Sequence, residues 1–309
     1  MKKFKEILFL KNLKRVGNVA INGKYWNILN DARDLNDLIL KIQDIESKFS
    51  SEDLQKAQVK AENIFDYVIN SDIDVITVCD DEYPENLNVM KNNKPPILYI
   101  KGNVQALKKH NMAVIGTRNP SLSSQNFEEN LVKHVINSTE NVIVSGLALG
   151  CDKIAHQSTV DENKITIAVL PSGVDIIKPD KHKKLASDII NTGGCLVSEY
   201  EPKVNVNRGS YVKRDNIIAA LSDSIFVVEC GIESGTMHTV KFANDYQRQI
   251  YTYLPDERPE DSYDGNEFIL QKYDNSIKVN NIEDFIEKIN ISDNNNTQKS
   301  SFTSLDDFK

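Results

Sequence analysis

The amino-acid sequence predicts an α/β fold, a doubly wound parallel sheet preceded by a smaller helical domain. The first observation is a set of short apolar runs that alternate with segments of helical period. These runs span residues 112–115, 142–144, 165–170, 195–197, 225–228 and 250–254. Continuous apolar strands are typical of a parallel sheet covered by helices on both faces. Right-handed crossovers between such strands give a Rossmann-like, doubly wound topology.

The second observation is that residues 1–80 lack this alternation and have helical periodicity instead. Leu35, Leu38 and Ile42 recur at helix spacing, and Ser50 precedes two acidic residues as a helix N-cap does. Gly17, within residues 13–20, fits a tight joint between two helices. Such a joint either contacts a nucleic-acid backbone or serves packing alone. We therefore expect a helical domain of the helix-hairpin or SAM-like type at residues 1–80.

Proline-containing segments separate this helical domain from the sheet. Tyr83-Pro84 and Pro95-Pro96 punctuate residues 81–100, which we interpret as a linker. Residues 101–291 then form the Rossmann-like domain, and the polar run at 292–309 is expected to be disordered. The 309 residues are consistent with two domains of ordinary size.

The charge of the chain excludes a uniformly basic nucleic-acid binder. The formal net charge is −8, whereas such proteins carry an excess of Lys and Arg that matches the phosphates. The negative charge is concentrated in residues 256–309, which contribute −7, while residues 101–255 contribute +1. A focused cationic pocket within the sheet domain is therefore compatible with the overall charge.

The N-terminus and the cysteines indicate a reduced, cytoplasmic protein. Only four consecutive apolar residues, Ile7 to Leu10, precede Lys11, which is too short for a signal peptide or a membrane span. Cys79, Cys151, Cys195 and Cys230 are widely separated and have no zinc-ligand spacing. We expect neither a metal site nor a membrane segment.

Two loops that follow the first strands are suited to bind an anion. In an open parallel sheet, ligands bind where strands end and helices begin. Gly116, Thr117 and Arg118 follow the first apolar run, and a guanidinium at such a turn matches phosphate well. Ser145 and Gly146 follow the second run and lead into a helix, where backbone amides can face an anion.

The later loops add cations and an aromatic ring. Lys178, Lys181 and Lys183 belong to a lysine-rich segment after the third run. Residues 202–214 contain no carboxylate, and Tyr211 stands there beside Lys213 and Arg214 as a stacking platform for a base. The last loop is a second phosphate cradle formed by Ser234, Gly235 and Thr236. No Walker lysine, dinucleotide fingerprint or catalytic triad accompanies these loops, so the pattern favours phosphate binding over catalysis.

Taken in order, these motifs resemble one family closely. They are Ala113-Val114-Ile115-Gly116-Thr117-Arg118, Ser145-Gly146-Leu147-Ala148, Ser172-Gly173-Val174-Asp175, the Arg-x-x-Ile-Ile-Ala segment from Arg214, and Ser234-Gly235-Thr236. This set resembles the DNA-processing protein A family (DprA, also called Smf). A match of Asp81-x-Tyr83-Pro84 and Pro95-Pro96 extends the resemblance upstream.

The resemblance implies a non-catalytic, single-stranded DNA-binding protein that protects DNA and loads RecA during natural transformation. It also implies a homodimer formed through the Rossmann-like domain and the use of no cofactor. Arg118 then corresponds to the pocket arginine, and Arg214 to the first residue of the family's Arg-Asn-Arg segment. Here that segment reads Arg214-Asp215-Asn216, so we expect Asn216 to contact DNA together with Arg214, and Leu149 replaces a usual cation. Because each lost phosphate contact weakens binding, we expect a lower affinity than in typical members.

Two other functions stay open on the sequence alone. The turn at Gly231 and Ser234-Gly235-Thr236 is also similar to that of cytokinin-activating phosphoribohydrolases, which cleave a base from a nucleoside monophosphate. Thr239 stands where that family has a glutamate. Alternatively, the same phosphate cradles bind a free nucleotide in a signalling or phage-defence module.

Overall fold

The computed structural model of the chain describes residues 1–46, 48–258 and 263–289. The predicted disordered tail at 292–309 lies outside the described residues. So do the last two residues, 290 and 291, of the predicted Rossmann-like domain. Within the described ranges, none of the helices combines the length and apolar character needed to span a membrane.

The centre of the molecule is one nine-stranded sheet. Its strands are β1 (Asp74–Thr77), β2 (Ile97–Gly102), β3 (Asn111–Ile115), β4 (Val142–Ser145), β5 (Thr166–Val169), β6 (Cys195–Ser198), β7 (Ser224–Val227), β8 (Gln249–Tyr253) and β9 (Ser276–Val279). The spatial order is β1-β2-β6-β5-β4-β3-β7-β8-β9. Strands β3 to β9 are parallel to one another, and β1 and β2 are joined antiparallel at one side. The predicted α/β, doubly wound fold is confirmed.

The strand order reverses between β3 and β7. From β3 the chain winds through β4 and β5 to β6, and it then returns to the other side of β3 with β7. The loops that leave β3 and β7 therefore diverge onto opposite faces of the sheet. A crevice opens at such a switch point, at the carboxyl ends of the strands.

Helices cover both faces of the sheet. They are α1 (Phe4–Asn12), α2 (Asn18–Asn22), α3 (Trp26–Asp31), α4 (Leu35–Ile45), α5 (Ser51–Ile69), α6 (Leu122–Ser138), α7 (Cys151–Asp161), α8 (Lys183–Asn191), α9 (Arg208–Leu221), α10 (Thr236–Asp245) and α11 (Asp264–Lys272), with further helical residues at 282–289. Short 3-10 helices span Glu85–Asn93, Val104–Lys108 and Asp180–His182.

The side chains of each strand alternate between two apolar layers. On β3, Ala113 and Ile115 pack with α9 and α10, whereas Met112 and Val114 pack with α6 and α7. This burial on both faces accounts for the continuous apolar runs in the sequence.

The helical N-terminal region packs directly onto the sheet. The Phe4 ring lies 6.2 Å from the Tyr99 ring of β2 in an edge-on contact, and one apolar cluster joins α1, α4 and α5 to β2, β5 and β6. Helix α5 begins with a capping box in which Ser50 and Asp53 bind each other's backbone amides. The division into a domain at 1–80 and a domain at 101–291 stays a prediction, since this core is shared.

The linker predicted at residues 81–100 is wrong for residues 97–100. These residues belong to β2, which pairs with β1 on one side and β6 on the other. Ile97, Leu98, Tyr99 and Ile100 are all buried, because both faces of the strand are covered. The adjacent Pro95-Pro96 pair marks the start of this strand and not a flexible connection.

Candidate nucleic-acid interface

A cavity of about 520 Å³ lies at the switch point between β3 and β7. The loops after β3 and β7 and the first turns of α9 and α10 form its walls. Its lining residues are Ile115, Gly116, Thr117, Arg118, Ala148, Asp152, Arg208, Tyr211, Val212, Arg214, Asp215, Ser234, Gly235, Thr236, His238 and Thr239. We call this the first cavity. It brings together the predicted residues Gly116, Thr117, Arg118, Tyr211, Arg214, Ser234, Gly235 and Thr236.

The floor of the first cavity is a buried ion-pair cluster. The Arg214 guanidinium lies 3.2 Å from an Asp152 carboxylate oxygen and 3.3 Å from an Asp215 carboxylate oxygen. All three side chains are buried. Burial raises the pKa of the Asp215 carboxyl to about 6, while the neighbouring Arg214 charge acts in the opposite direction. The floor therefore holds its cation in place by carboxylates of the protein itself.

Gly146 is located directly beneath this arginine. A Cβ atom added at Gly146 would lie 1.3 Å from an Arg214 guanidinium nitrogen, so only glycine leaves room for the guanidinium. Gly146 thus lies beneath the floor of the first cavity, and the Arg214 side chain separates it from the interior of the cavity. Ser145 is buried as well, and its hydroxyl donates to the Val114 carbonyl at 2.7 Å. The structure therefore places these two predicted phosphate contacts beneath the floor.

The loop after β3 is held rigidly by backbone contacts. The Thr117 amide donates to the Glu229 carbonyl at 2.7 Å, and the Cys151 amide at the start of α7 donates to the Thr117 carbonyl at 3.1 Å. Gly150 has a φ of 72°, and a Cβ there would lie 2.3 Å from the Thr117 carbonyl oxygen. These contacts fix the direction in which Arg118 leaves the loop.

The first turn of α10 forms the opposite wall. The Thr236 hydroxyl donates to the Gly116 carbonyl at 3.0 Å, which ties α10 to the loop after β3. Gly235 is exposed, and an added Cβ would contact nothing within 4 Å. The N-terminal end of a helix attracts anions through its dipole and free amides, so this wall suits a phosphate.

The rim of the first cavity carries its accessible cations. Arg118 and Arg208 are exposed, and neither forms an ion pair with a residue in the described part of the chain. The Arg118 guanidinium carbon lies 5.7 Å from the centre of the Tyr211 ring. Asn207 caps α9 through the amides of Gly209 and Ser210, which places Arg208 at the start of that helix. The rim thus offers two guanidinium groups and one aromatic face.

The remaining predicted residues lie elsewhere. Lys178, Lys181 and Lys183 are exposed and do not line the first cavity, and Lys178 pairs with Asp180 at 2.9 Å. Lys213 and Asn216 are on the other side of α9, where they line a second cavity. The Asn216 amide oxygen accepts a hydrogen bond from the Tyr246 hydroxyl at 2.6 Å.

Sequence reasoning did not include Arg208, Asp152, His238 and Thr239 among the site residues. Arg208 belongs to the carboxylate-free segment 202–214, and that absence of acids was the available signal. Asp152 was a candidate helix cap or positioning residue, but its ion pair with Arg214 was not predictable because the two residues are distant in the sequence. His156, four residues after Asp152, is fully buried, and burial lowers its pKa to about 4. That environment is unsuited to a solvent-facing general base.

Among the residues that the structure describes, no group of three or more His, Cys, Asp or Glu side chains is arranged to hold a metal ion.

Comparison with known proteins identifies relatives of this chain. The family model of DNA recombination-mediator protein A matches residues 74–290. Protein Smf of Escherichia coli (strain K12) is 30% identical over 207 residues, which are 67% of this chain and 54% of that protein. The chain therefore spans about half the length of that curated relative.

Two solved structures have the same architecture. The X-ray structure of DNA processing protein A from Streptococcus pneumoniae is 25% identical, with a TM-score of 0.75, and the match covers 92% of this chain and 96% of that chain. DNA processing protein A from Helicobacter pylori is 27% identical, with a TM-score of 0.63, and the match covers 72% and 98%. The latter structure gives insight into the single-stranded DNA binding mode of that protein.

Proposed function

The chain belongs to the DNA recombination-mediator protein A family, and on that premise we propose that it binds single-stranded DNA in the first cavity without catalysing a reaction on it. The bound strand is delivered to the RecA recombinase during DNA uptake, and the protein acts in the cytoplasm as a homodimer. The solved relative from Helicobacter pylori, which binds single-stranded DNA, supports the choice of ligand.

The observation that carries this proposal is the rim of the first cavity. Arg118 and Arg208 are exposed and have no carboxylate partner among the described residues, so both are available to phosphates. Tyr211 also lines the first cavity, next to Arg118, and offers a face on which a base can stack. Cations that follow the backbone, combined with an aromatic platform, are the usual means of binding a single strand without sequence preference.

The floor favours binding over catalysis. A phosphoribohydrolase-like enzyme needs a carboxylate that is free to act on its substrate, whereas both Asp152 and Asp215 are paired with Arg214. Thr239, at the position of that family's glutamate, is buried and carries no charge. Release of the base from a nucleoside monophosphate by the purified protein would instead support the enzyme.

Oligonucleotide binding tests the proposed site. We expect Arg118→Ala and Arg208→Ala each to weaken binding of a labelled oligo-dT by roughly five- to tenfold at low salt. Each change should also reduce the slope of log affinity against log salt by about 0.7, since one phosphate contact to a single strand is lost. Fluorescence anisotropy at two salt concentrations measures both quantities.

Arg33→Ala is the matched control, because Arg33 is exposed, pairs with Asp37 and does not line the first cavity. It should leave both the affinity and the salt dependence unchanged. Binding that is unaffected by both rim substitutions contradicts the assignment of the first cavity. Delivery to RecA is measured separately, as the rate of RecA assembly on oligo-dT with and without the protein.

A further inference from the structure

A second cavity of about 740 Å³ lies between the helical N-terminal region and α9. The joint between α1 and α2, the 3-10 helix Glu85–Asn93 and the side of α9 opposite the first cavity form its walls. Its lining residues are Arg15, Gly17, Asn18, Val19, Ala20, Gly23, Lys24, Met90, Asn92, Asn93, Pro95, Glu199, Lys213, Asn216 and Ile217. None of these residues lines the first cavity.

The accessible charge of the second cavity is positive. Arg15 and Lys213 are exposed, and neither forms an ion pair with a residue in the described ranges. Lys24 also lines the cavity but pairs with Glu46. The lining carboxylate, Glu199, is buried and accepts a hydrogen bond from the Asn18 amide at 3.3 Å. Two cations without an ion-pair partner among the described residues are therefore exposed, whereas the acid is buried.

Arg15 has an uncommon backbone conformation at this cavity. Its φ is 64°, in the left-handed region that long side chains adopt rarely. The joint between α1 and α2 thus holds a charged residue where glycine or asparagine would adopt the same conformation more readily. Around it, the amides of Asn18, Asn92 and Asn93 and the apolar surfaces of Val19 and Met90 complete a mixed lining.

Helix α9 is a common wall of the two cavities. Arg208, Tyr211 and Arg214 line the first cavity, whereas Lys213, Asn216 and Ile217 line the second. Lys213 is only five residues from Arg208, which is about 7.5 Å along a helix axis. A flexible chain of phosphates that occupies the first cavity needs to cross only the first two turns of α9 to reach the second.

We propose that the second cavity binds the continuation of the same DNA strand that occupies the first, with Arg15 and Lys213 contacting its phosphates. This assignment rests on the proposed function of the first cavity. A continuous single strand fits the observations better than a free nucleotide does, because the two free cations lie on different walls and the cavity shares α9 with the first. The helical N-terminal region thereby becomes part of the DNA site and lengthens it.

Oligonucleotide length separates the two cavities experimentally. We expect the double substitution Arg15→Gln and Lys213→Gln to weaken binding of an oligo-dT of about 20 nucleotides by roughly tenfold, and its salt slope to fall by about 1.4, for two lost phosphate contacts. Binding of an oligo-dT of about 6 nucleotides, within the range that one binding groove accommodates, should not change. The matched control is the double substitution Arg33→Gln and Lys56→Gln, which removes two exposed cations outside both cavities.

A second pair of variants changes the charge of the second cavity and leaves Arg15 and Lys213 in place. Val19 lines the second cavity and is 59% exposed. Val19→Lys should tighten and Val19→Glu should weaken binding of the longer oligo-dT, each by roughly threefold, because one charge is added near a phosphate. Val59→Lys is the control, since Val59 is similarly exposed on α5 and lines neither cavity.

The two assignments fail in different ways. If the shorter oligo-dT binds and Arg118→Ala weakens it, but neither the double substitution nor the Val19 variants change the binding of the longer one, then the second cavity is not a DNA site. The same conclusion follows if dTMP, added at the concentration of the oligonucleotide, occupies the second cavity as fully as the longer oligo-dT does. If Arg118→Ala and Arg208→Ala leave the binding of both lengths unchanged, the proposed function itself is wrong.

Discussion

The floor and the rim of the first cavity hold arginines in opposite settings. Arg214 in the floor is buried between Asp152 and Asp215, whereas Arg118 on the rim is exposed beside Tyr211. A buried ion pair loses much of its Coulombic gain to desolvation, but removing one partner is costly. The floor arginine therefore maintains the shape of the cavity, whereas the rim arginine is available to a ligand.

Removing the floor arginine is expected to have the largest effect. Arg214→Ala leaves Asp152 and Asp215 buried without their cation, so the free energy of unfolding should fall by about 3–5 kcal/mol. Urea denaturation measures this value. Arg118→Ala should change it by no more than about 0.5 kcal/mol, as is usual at exposed positions. Equal stability of the two variants would remove the distinction between floor and rim.

Removing the rim aromatic ring should affect binding and leave stability nearly unchanged. Tyr211→Ala is expected to cost about 1–3 kcal/mol of oligo-dT binding if one base stacks on the ring, and Tyr211→Phe should retain most of the affinity. Anisotropy titrations of both variants test this expectation. Tyr67→Ala is the control, because Tyr67 is 37% exposed and also has a lysine, Lys203, over its ring. A full loss of affinity in Tyr211→Phe would indicate that the hydroxyl, and not the ring, contacts the strand.

The smallest expected effect is a change of DNA affinity with pH, caused by the Asp215 carboxyl in the floor of the first cavity. The pKa of Asp215 is raised to about 6, so the carboxyl is ionised above pH 6 and protonated below it. Its negative charge lines the first cavity and opposes phosphate, so wild-type affinity should rise as the pH falls through 6. Asp215→Asn should bind oligo-dT roughly threefold more tightly than wild type at pH 7.5, and the two should converge near pH 5.

His238 is another ionisable residue that lines the first cavity. It is present in both proteins, so the ratio of their affinities isolates the contribution of Asp215. Arg118, Arg214 and Asp152, the other charged groups near this carboxyl, are likewise unchanged. A ratio that is constant from pH 5 to 7.5 would mean that Asp215 does not titrate against the bound strand.

The parts of the fold that depend on local pattern were predictable. The apolar runs correctly located β3 to β8, because strands buried on both faces leave a continuous apolar signature. Strand β2 was missed, since Pro95-Pro96 immediately before it is also typical of a linker. Its place in the sheet depends on pairing with β6, far along the chain, and no local pattern records that pairing.

The candidate site shows the same division. The loops after β3 and β7 were predicted to converge because parallel strands end at a common edge, and Arg118 and Thr236 do line one cavity. The burial of Arg214 was not predictable, because it depends on Asp152 and on the space that Gly146 leaves. The lysines at 178, 181 and 183 follow β5 in the sequence and were therefore expected at the same edge of the sheet. They do not line the first cavity. A run of lysines in a sequence does not indicate the direction in which its side chains point.

The pairing of β2 with β6 also determines how early the sheet can form while the chain is being synthesised. Tyr99 is opposite Ser198, and Gly102 is opposite Cys195. The two paired strands are therefore far apart in the sequence, and β6 is synthesised well after β2. Closing such a long loop is entropically costly and slows folding. While β6 is still being synthesised, the apolar strand β2 has only β1 beside it. We therefore expect the growing chain to pass through a stage in which its N-terminal third exposes an unpaired, aggregation-prone strand edge.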